Sequence, residues 1–212
     1  MLVDDHPLVR EGLVNLIQQQ PDLEVCGEAA TEPEGLAIIE SSQPDVAVID
    51  LSLEKGSGLE LIRNLKALHP EVNVLVLSMH DELLFAERAL RAGARGYLMK
   101  REATGKVVQG IRAVRAGRLF VSDRIAARMA EKFVEGPAVA ALSPLDQLSN
   151  REMEVFQLLG RGHNTRQIAE HLHVGFKTVQ AYSARIKEKL KLANATELLR
   201  EAIRWDENRP PG

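Results

Sequence analysis

The sequence lacks the features that mark membrane, secreted and disulfide-rich proteins. It contains a single cysteine, Cys26, which excludes an internal disulfide and favours a reducing compartment. No apolar run approaches the roughly 18 residues that a membrane-spanning helix needs. The first residues, MLVDDHPLVREG, do not have the basic-then-apolar order of a signal peptide. With 45% hydrophobic and 27% charged residues, the composition indicates a soluble globular protein, which we expect to be cytoplasmic.

The overall charge of −3 conceals a difference between the two parts of the chain. Residues 1–147 contain 16 Lys/Arg against 22 Asp/Glu, a balance of −6. Residues 148–212 contain 11 against 8, a balance of +3. This split suggests two modules with different partners, the second of which tolerates a polyanion.

Short apolar runs alternate with amphipathic stretches from residue 1 to about residue 117. The runs are MLV, EVCGEA, DVAVID, NVLVLS and GYLMK. Apolar residues recur every three or four positions between them, which predicts helices. Continuous Val/Ile/Leu runs separated by helices are typical of a parallel sheet covered on both faces. We therefore predict an α/β, doubly wound, parallel five-stranded domain over residues 1–117.

The rest of the chain contains no strand-like run. Residues 121–135 predict one helix, and GPAVAALSPLDQ has the Pro, Gly and small residues of a linker. Residues 118–147 are therefore interpreted as a linker with one helix. Residues 148–205 predict a small all-α domain of four short helices, and residues 206–212 a flexible tail.

Polar side chains stand at or just after the ends of four predicted strands. They are Asp4, Asp5, Asp50, Ser78 and Lys100. The carboxyl ends of parallel strands share one edge of the sheet, so the fold should bring these groups together. Crowded carboxylates need a cation, and oxygen ligands with a phosphate suit Mg²⁺. A carboxylate beside such an ion can accept a phosphoryl group, with Lys100 and the Ser78 hydroxyl stabilising the added oxygens.

Residues 1–117 resemble the receiver domains of two-component response regulators. The resemblance rests on VDDH, VIDLSL, VLVLS and GYLMK, in that order. It implies that Asp50 is the phosphoacceptor and that Asp5 and Asp50 are direct Mg²⁺ ligands. It also implies that Asp4 acts nearby, through water, and that the backbone carbonyl of Ser52 is a further ligand.

The same resemblance implies a switch made of Ser78 and Tyr97. The hydroxyl of Ser78 would move toward the phosphoryl group, and the ring of Tyr97 would follow inward. On its own, Tyr97 also fits ordinary strand packing.

Two further residues are interpreted as structural. His6 follows the acidic pair but has no second His or Cys at metal-ligand spacing. Cys26 falls within a predicted strand, where we expect a small core residue.

The basic second part predicts a helix-turn-helix. NTRQIAEHL begins with Asn164 as a cap and has Gln167 at capping-box spacing. The turn HVGF leads into the basic stretch KTVQAYSARIKEKL. Val179, Ile186 and Leu190 are spaced to face inward. Lys177, Gln180, Ala181, Ala184 and Arg185 should then face outward.

That outward face suits the major groove of double-stranded DNA. Lys177, Thr178 and Arg185 can contact phosphates, whereas Gln180 can pair with an adenine edge. Ala181 and Ala184 allow close approach to the bases. A solvated basic helix in a helical bundle is the other interpretation of the same residues.

About 55 residues here resemble the DNA-binding domain of LuxR-type regulators. In that family the positions of Gln180, Ala181 and Ala184 face bases. The last helix, ATELLREAIRW, should expose Leu198, Leu199 and Ala202. In the family this helix pairs two DNA-binding domains.

Together the two parts resemble a response regulator of the NarL/FixJ type. The resemblance implies a transcriptional regulator, not an enzyme, that a sensor histidine kinase phosphorylates on Asp50 and that binds inverted-repeat promoter DNA as a homodimer. A regulator of the same architecture that works without phosphorylation is the alternative. A phosphatase with Asp50 as nucleophile is disfavoured, because Ser52 stands where such enzymes have a second aspartate.

Overall fold

The computed structural model describes residues 1–53, 57–135, 144–172 and 174–207. The chain divides into two compact units, Met1–Val139 and Ala140–Gly212. Within the described ranges, none of the helices has the length and apolar character that crossing a membrane requires.

The first unit contains one parallel sheet in the order β2-β1-β3-β4-β5. The strands are β1 (Leu2–Val3), β2 (Glu28–Ala29), β3 (Val46–Ile49), β4 (Asn73–Ser78) and β5 (Gly96–Met99). Every neighbouring pair is parallel. The sequence-based prediction of a five-stranded parallel sheet is confirmed.

Helices cover both faces of this sheet. They are α1 (Pro7–Gln18), α2 (Glu32–Ser42), α3 (Gly58–Leu68), α4 (Glu82–Ala92) and α5 (Ala103–Arg115), followed by α6 (Asp123–Glu135). Val48, Leu75 and Leu77 pack with apolar residues of α1 and α5 in one core cluster. The alternate strand residues Ile49 and Val76 are fully buried on the opposite face, as the period of a strand requires.

The edge strand β2 is shorter than the predicted run EVCGEA. Only Glu28 and Ala29 pair, because β1 offers only Leu2 and Val3 as partners. Cys26 therefore lies outside the strand and is exposed. The prediction that Cys26 is a small core residue was wrong.

The elements of the second unit are helical throughout its described residues, as predicted. A short 3₁₀ turn at Pro144–Gln147 precedes α7 (Asn150–Gly160), α8 (Thr165–His171), α9 (Phe176–Leu190) and α10 (Ala195–Glu207). Asn164 and Gln167 form the predicted capping box at the start of α8. The core contains Phe156, Ile168, Val179, Ile186, Leu198 and Ala202. The prediction that α10 exposes Leu198 and Ala202 was wrong, because the face that carries them packs against α7.

An ion pair between the buried Glu152 and the partly exposed Lys189 holds the end of α9 against the start of α7. Glu152 is 2% exposed and accepts from Lys189 Nζ at 2.6 Å and from the Ser149 N–H at 2.7 Å. Burial alone would raise the pKa of Glu152, but these two donors outweigh it and the pKa lies below its usual value. The carboxylate therefore stays charged, and the direction of α9 is set by this contact as well as by apolar packing.

A close approach of backbone to backbone sets the loop after β3. The Gly58 N–H donates to the Leu51 carbonyl oxygen at 3.2 Å, and a Cβ on Gly58 would collide with the Asp50 carbonyl oxygen. Glycine at the first position of α3 therefore lets the helix begin directly beside Asp50.

We predict that Gly58→Ala destabilises the first unit by about 1–3 kcal/mol, because the added methyl group has no space. Thermal unfolding followed by circular dichroism measures the change. Gly105→Ala is the matched control: nothing lies within 4 Å of its Cβ position in α5, so the variant should gain up to about 1 kcal/mol of stability. Equal stability of Gly58→Ala and the parent would contradict the close approach.

Candidate functional site

A buried lysine joins two buried carboxylates at the carboxyl edge of the sheet. Asp4 follows β1, Asp50 follows β3 and Lys100 follows β5. Lys100 Nζ lies 2.7 Å from Asp4 Oδ2 and 2.7 Å from Asp50 Oδ2. The three side chains are only 3–6% exposed. The structure thus brings together three of the residues that the strand-end pattern selected.

Burial and charge act against each other in this group. Burial raises the pKa of Asp50; the Lys100 ammonium opposes the shift and the Asp4 carboxylate adds to it. Burial alone would lower the pKa of Lys100, but the Asp50 and Asp4 carboxylates outweigh it, and the net direction is upward. Lys100 therefore stays protonated and neutralises one of the two acids.

An excess of negative charge is left for a cation. Asp4, Asp5, His6 and Asp50 each offer a ligand atom, and these atoms all lie within 4.8 Å of one another. One lysine cannot neutralise three carboxylates, and carboxylate oxygens are the ligands that Mg²⁺ prefers. The donor set of this edge therefore fits the predicted Mg²⁺ site.

The Ser52 backbone N–H donates to Asp50 Oδ1 at 3.2 Å, and the role of the Ser52 carbonyl as a metal ligand stays a prediction. His6 also belongs to this group of ligand atoms, although its sequence position was interpreted as structural. The sequence does contain a local indication, which is an aspartate two residues before His6. Asp4 Oδ1 accepts from the His6 N–H at 2.9 Å, a common turn of aspartate residues.

Ser78 and Tyr97 are both buried beside the acidic group. Ser78 ends β4 and is 0% exposed, and the Tyr97 ring on β5 is 2% exposed. Burial raises the pKa of Tyr97, so its hydroxyl remains a donor. It donates to the His80 carbonyl oxygen at 3.0 Å. The ring thus already occupies the inward position that the sequence analysis expected as the end point of a switch.

His80 connects the two sides of the site and was missed by the sequence analysis. Its N–H donates to Ser78 Oγ at 3.2 Å. Its ring nitrogen Nε2 hydrogen-bonds Ser52 Oγ, and its ring lies 4.6 Å from that of Phe85. Nothing in a single sequence marks His80 except its position two residues after Ser78.

The helix α9 presents the predicted polar face to solvent. Lys177, Thr178, Gln180, Ala181, Ala184 and Arg185 are all exposed. Val179 and Ile186 are fully buried, and Leu190 is half-buried. Two small residues in the middle of this face let it approach another surface closely, and basic residues stand on either side of them.

The helix α10 exposes an apolar strip of Leu199 and Ile203, which are 40% and 36% exposed. Thr196, Arg200, Arg204 and Glu207 border this strip. Leu199 is thus the one member of the predicted exposed set that the structure places at the surface.

An acidic, lysine-containing edge on a five-stranded parallel sheet, followed by a helix-turn-helix with a basic face, defines a class of protein: two-component regulators that act on DNA. Comparison with protein families gives the same result. Residues 1–112 match the response regulator receiver domain, and residues 146–202 match the bacterial regulatory proteins of the luxR family. The chain belongs to the response regulators that combine a receiver domain with a LuxR-type helix-turn-helix. It is a DNA-binding transcriptional regulator and not an enzyme.

Known relatives match the whole chain. The DNA-binding transcriptional activator DevR/DosR of Mycobacterium tuberculosis is 36% identical over 213 residues, which cover 100% of this chain and 96% of the relative. The oxygen regulatory protein NreC of Staphylococcus carnosus is 32% identical over 208 residues, 96% of each chain.

Solved structures show the same fold. A LuxR-family response regulator from Aurantimonas sp. SI85-9A1 is 40% identical, with a TM-score of 0.58 over 63% of this chain and 96% of that chain. Two RcsB dimers bound to two parallel DNAs give 25% identity and a TM-score of 0.57, covering 94% of each chain.

We predict that Lys100→Met lowers the stability of the first unit by about 3 kcal/mol or more, because two buried carboxylates lose their counter-charge. Adding Mg²⁺ should recover more stability in this variant than in the parent, since a cation replaces the missing charge. Thermal unfolding with and without Mg²⁺ measures both effects.

Lys106→Met is the matched control for this prediction. Lys106 is exposed and pairs with Glu102 on the surface, so its loss should leave the unfolding temperature almost unchanged. If Lys100→Met unfolds at the same temperature as the parent, the ammonium does not hold the two carboxylates together.

Proposed function

We propose that a sensor histidine kinase phosphorylates Asp50 and that this modification controls binding of the chain, as a homodimer, to inverted-repeat promoter DNA. The observation that carries the proposal is the contact of the buried Asp50 carboxylate with Lys100 at 2.7 Å, beside an acidic group that needs a cation.

The geometry supports phosphoryl transfer to Asp50. An Asp50 oxygen attacks the phosphorus of the kinase phosphohistidine, and the P–N bond breaks with its electron pair passing to the kinase imidazole, which takes up a proton. Asp4, Asp5, Asp50 and the Ser52 carbonyl would hold Mg²⁺, which supplies positive charge beside the transferred oxygens. Lys100 is already placed to pair with those oxygens.

Ser78 and Tyr97 form the switch in this proposal. As the Ser78 hydroxyl moves to donate to a phosphoryl oxygen, its Oγ moves away from the His80 N–H that donates to it. Because Tyr97 binds the carbonyl oxygen of the same residue, a shift of His80 changes the support of the aromatic ring. Phosphorylation thereby stabilises one arrangement of the loop after β4.

The basic face of α9 reads the DNA. Gln180 contacts a base edge while Ala181 and Ala184 allow the helix into the major groove, and Lys177, Thr178 and Arg185 contact phosphates. The relative DevR/DosR is a DNA-binding transcriptional activator, which supports DNA binding by this chain. The solved structure of RcsB dimers on DNA and the exposed apolar strip of α10 support dimeric binding.

Each part of the chain has its own role in this function. Residues 1–117 form the receiver domain, 118–147 the linker with its helix, and 148–205 the DNA-binding domain. Residues 206–212 are the predicted tail; Asp206 and Glu207 still belong to α10, and residues 208–212, like residues 136–143 of the predicted linker, lie outside the described residues. Because its target is promoter DNA, the protein acts in the cytoplasm.

Selection of bound duplexes from a random DNA pool tests the proposal. The full chain is used with and without Mg²⁺ and beryllofluoride, a mimic of the phosphoryl group, and Asp50→Asn is the control. We expect an inverted repeat to be enriched only with the mimic, and no response to the mimic in Asp50→Asn.

Two other results would change the proposal. Equal enrichment with and without the mimic would leave a DNA-binding regulator that works without phosphorylation. Enrichment of single half-sites would contradict binding as a homodimer.

We predict that Gln180→Ala and Lys177→Ala weaken DNA binding in different ways. Loss of Gln180 should cost about 1–3 kcal/mol on the selected sequence and relax the preference at one base position. Loss of Lys177 should weaken binding to all sequences alike and reduce the salt dependence of log K by about one phosphate contact.

Fluorescence anisotropy at several salt concentrations separates the two effects, with Lys106→Ala as a control lysine in the first unit. If Lys177→Ala changes the base preference and Gln180→Ala does not, the orientation of α9 on DNA is reversed.

A further inference from the structure

We propose that His6 is an additional metal ligand, and that through it the acidic site binds first-row transition ions such as Mn²⁺ and Ni²⁺ in preference to Mg²⁺. The inference rests on the proposed function, since it concerns the same site. It goes beyond it by adding an imidazole nitrogen to a set of oxygen ligands.

The ring of His6 faces the acidic group. His6 is the residue before α1, and its N–H is held by Asp4 Oδ1 at 2.9 Å. This turn directs the ring toward the acids rather than along the helix. Its Nδ1 atom lies 2.6 Å from Asp5 Oδ1 and 3.3 Å from Asp4 Oδ1.

Asp5 Oδ1 lies close to the His6 ring but accepts no hydrogen bond from it. Asp5 Oδ1 is buried and has no hydrogen-bond donor among the described residues, although Nδ1 is its close neighbour. Nδ1 also lies 3.3 Å from Asp4 Oδ1. A buried carboxylate oxygen without a donor is costly, and a cation bound by all three atoms would relieve that cost.

The spacing of His6 Nδ1 from the two carboxylate oxygens suits ligands of one ion. Neighbouring ligands of an octahedral ion with bonds of about 2.0–2.1 Å lie about 2.9 Å apart. The two distances from Nδ1, 2.6 Å and 3.3 Å, lie on either side of this value. The nitrogen and the two oxygens therefore need to move only by tenths of an ångström to share one ion.

The mixture of oxygen and nitrogen ligands determines which ion binds best. Oxygen-only sites suit Mg²⁺, whereas imidazole nitrogen favours ions later in the first transition row. The His6 side chain is 62% exposed, so an ion and its remaining water ligands can reach the nitrogen from solvent. A regulator with this site would accept its phosphoryl group with Mn²⁺ bound as readily as with Mg²⁺.

Pulsed electron paramagnetic resonance of Mn²⁺ bound to the full chain tests the ligand directly. A coordinated imidazole gives a ¹⁴N modulation of the electron spin echo. We expect this modulation in the parent, its loss in His6→Ala, and its retention in His69→Ala. His69 follows the last residue of α3, whereas Gly58 is the first residue of that helix. His69 pairs with Glu71. His6 makes no cap hydrogen bond with its side chain, so His6→Ala should fold.

Calorimetric titration with Ni²⁺ and with Mg²⁺ gives a second measurement. Even groups that only support a metal ligand are worth roughly 10–100-fold in affinity, so His6→Ala should lose about tenfold or more for Ni²⁺. Its affinity for Mg²⁺ should change by less than about twofold, because the oxygen ligands remain. Asp5→Asn should weaken both ions.

A ¹⁴N modulation that persists in His6→Ala would overturn the proposal, as would equal losses of Ni²⁺ and Mg²⁺ affinity. Neither result touches the proposed function. If beryllofluoride and Mg²⁺ still promote DNA binding by His6→Ala, phosphorylation-gated regulation stands whether or not His6 is a ligand.

Discussion

The ion pairs of Lys100 with Asp4 and Asp50 are the constraint on which the first unit depends. An ammonium at 2.7 Å from two carboxylates, with all three side chains almost fully buried, forms only if three strands end at the same edge. The order β2-β1-β3-β4-β5 achieves this with β1 and β3 as neighbours and β5 at the edge. The site therefore requires the whole sheet, and the sheet holds charges that are tolerated only because they are paired.

The packing of the second unit holds α9 with its polar face outward. Apolar packing of Val179 and Ile186 fixes the rotation of α9, and the contact of Lys189 with Glu152 fixes its end. Neither constraint uses the residues on the exposed face. Substitutions on that face should therefore leave the fold intact, because the residues that pack lie on the opposite side of the helix.

The sequence predicted the parallel sheet, the helix-turn-helix and the meeting of Asp50 with Lys100, because continuous apolar runs and strand-end positions depend only on local order along the chain. It failed where the outcome depended on a partner in space. Cys26 is exposed because the neighbouring strand is short, and Leu198 is buried because α7 covers its side of α10. His80 joins its neighbours through contacts across the site, which no spacing in the sequence indicates.

The most direct test of the account is the identity of the residue that accepts a phosphoryl group. The full chain is incubated with Mg²⁺ and a small acyl phosphate donor, the product is trapped with borohydride, and the modified peptide is sequenced by mass spectrometry. The account predicts modification at Asp50, with Asp4 and Asp5 unmodified and no product in Asp50→Asn. Modification of another acidic residue, or none in the folded parent, would contradict it.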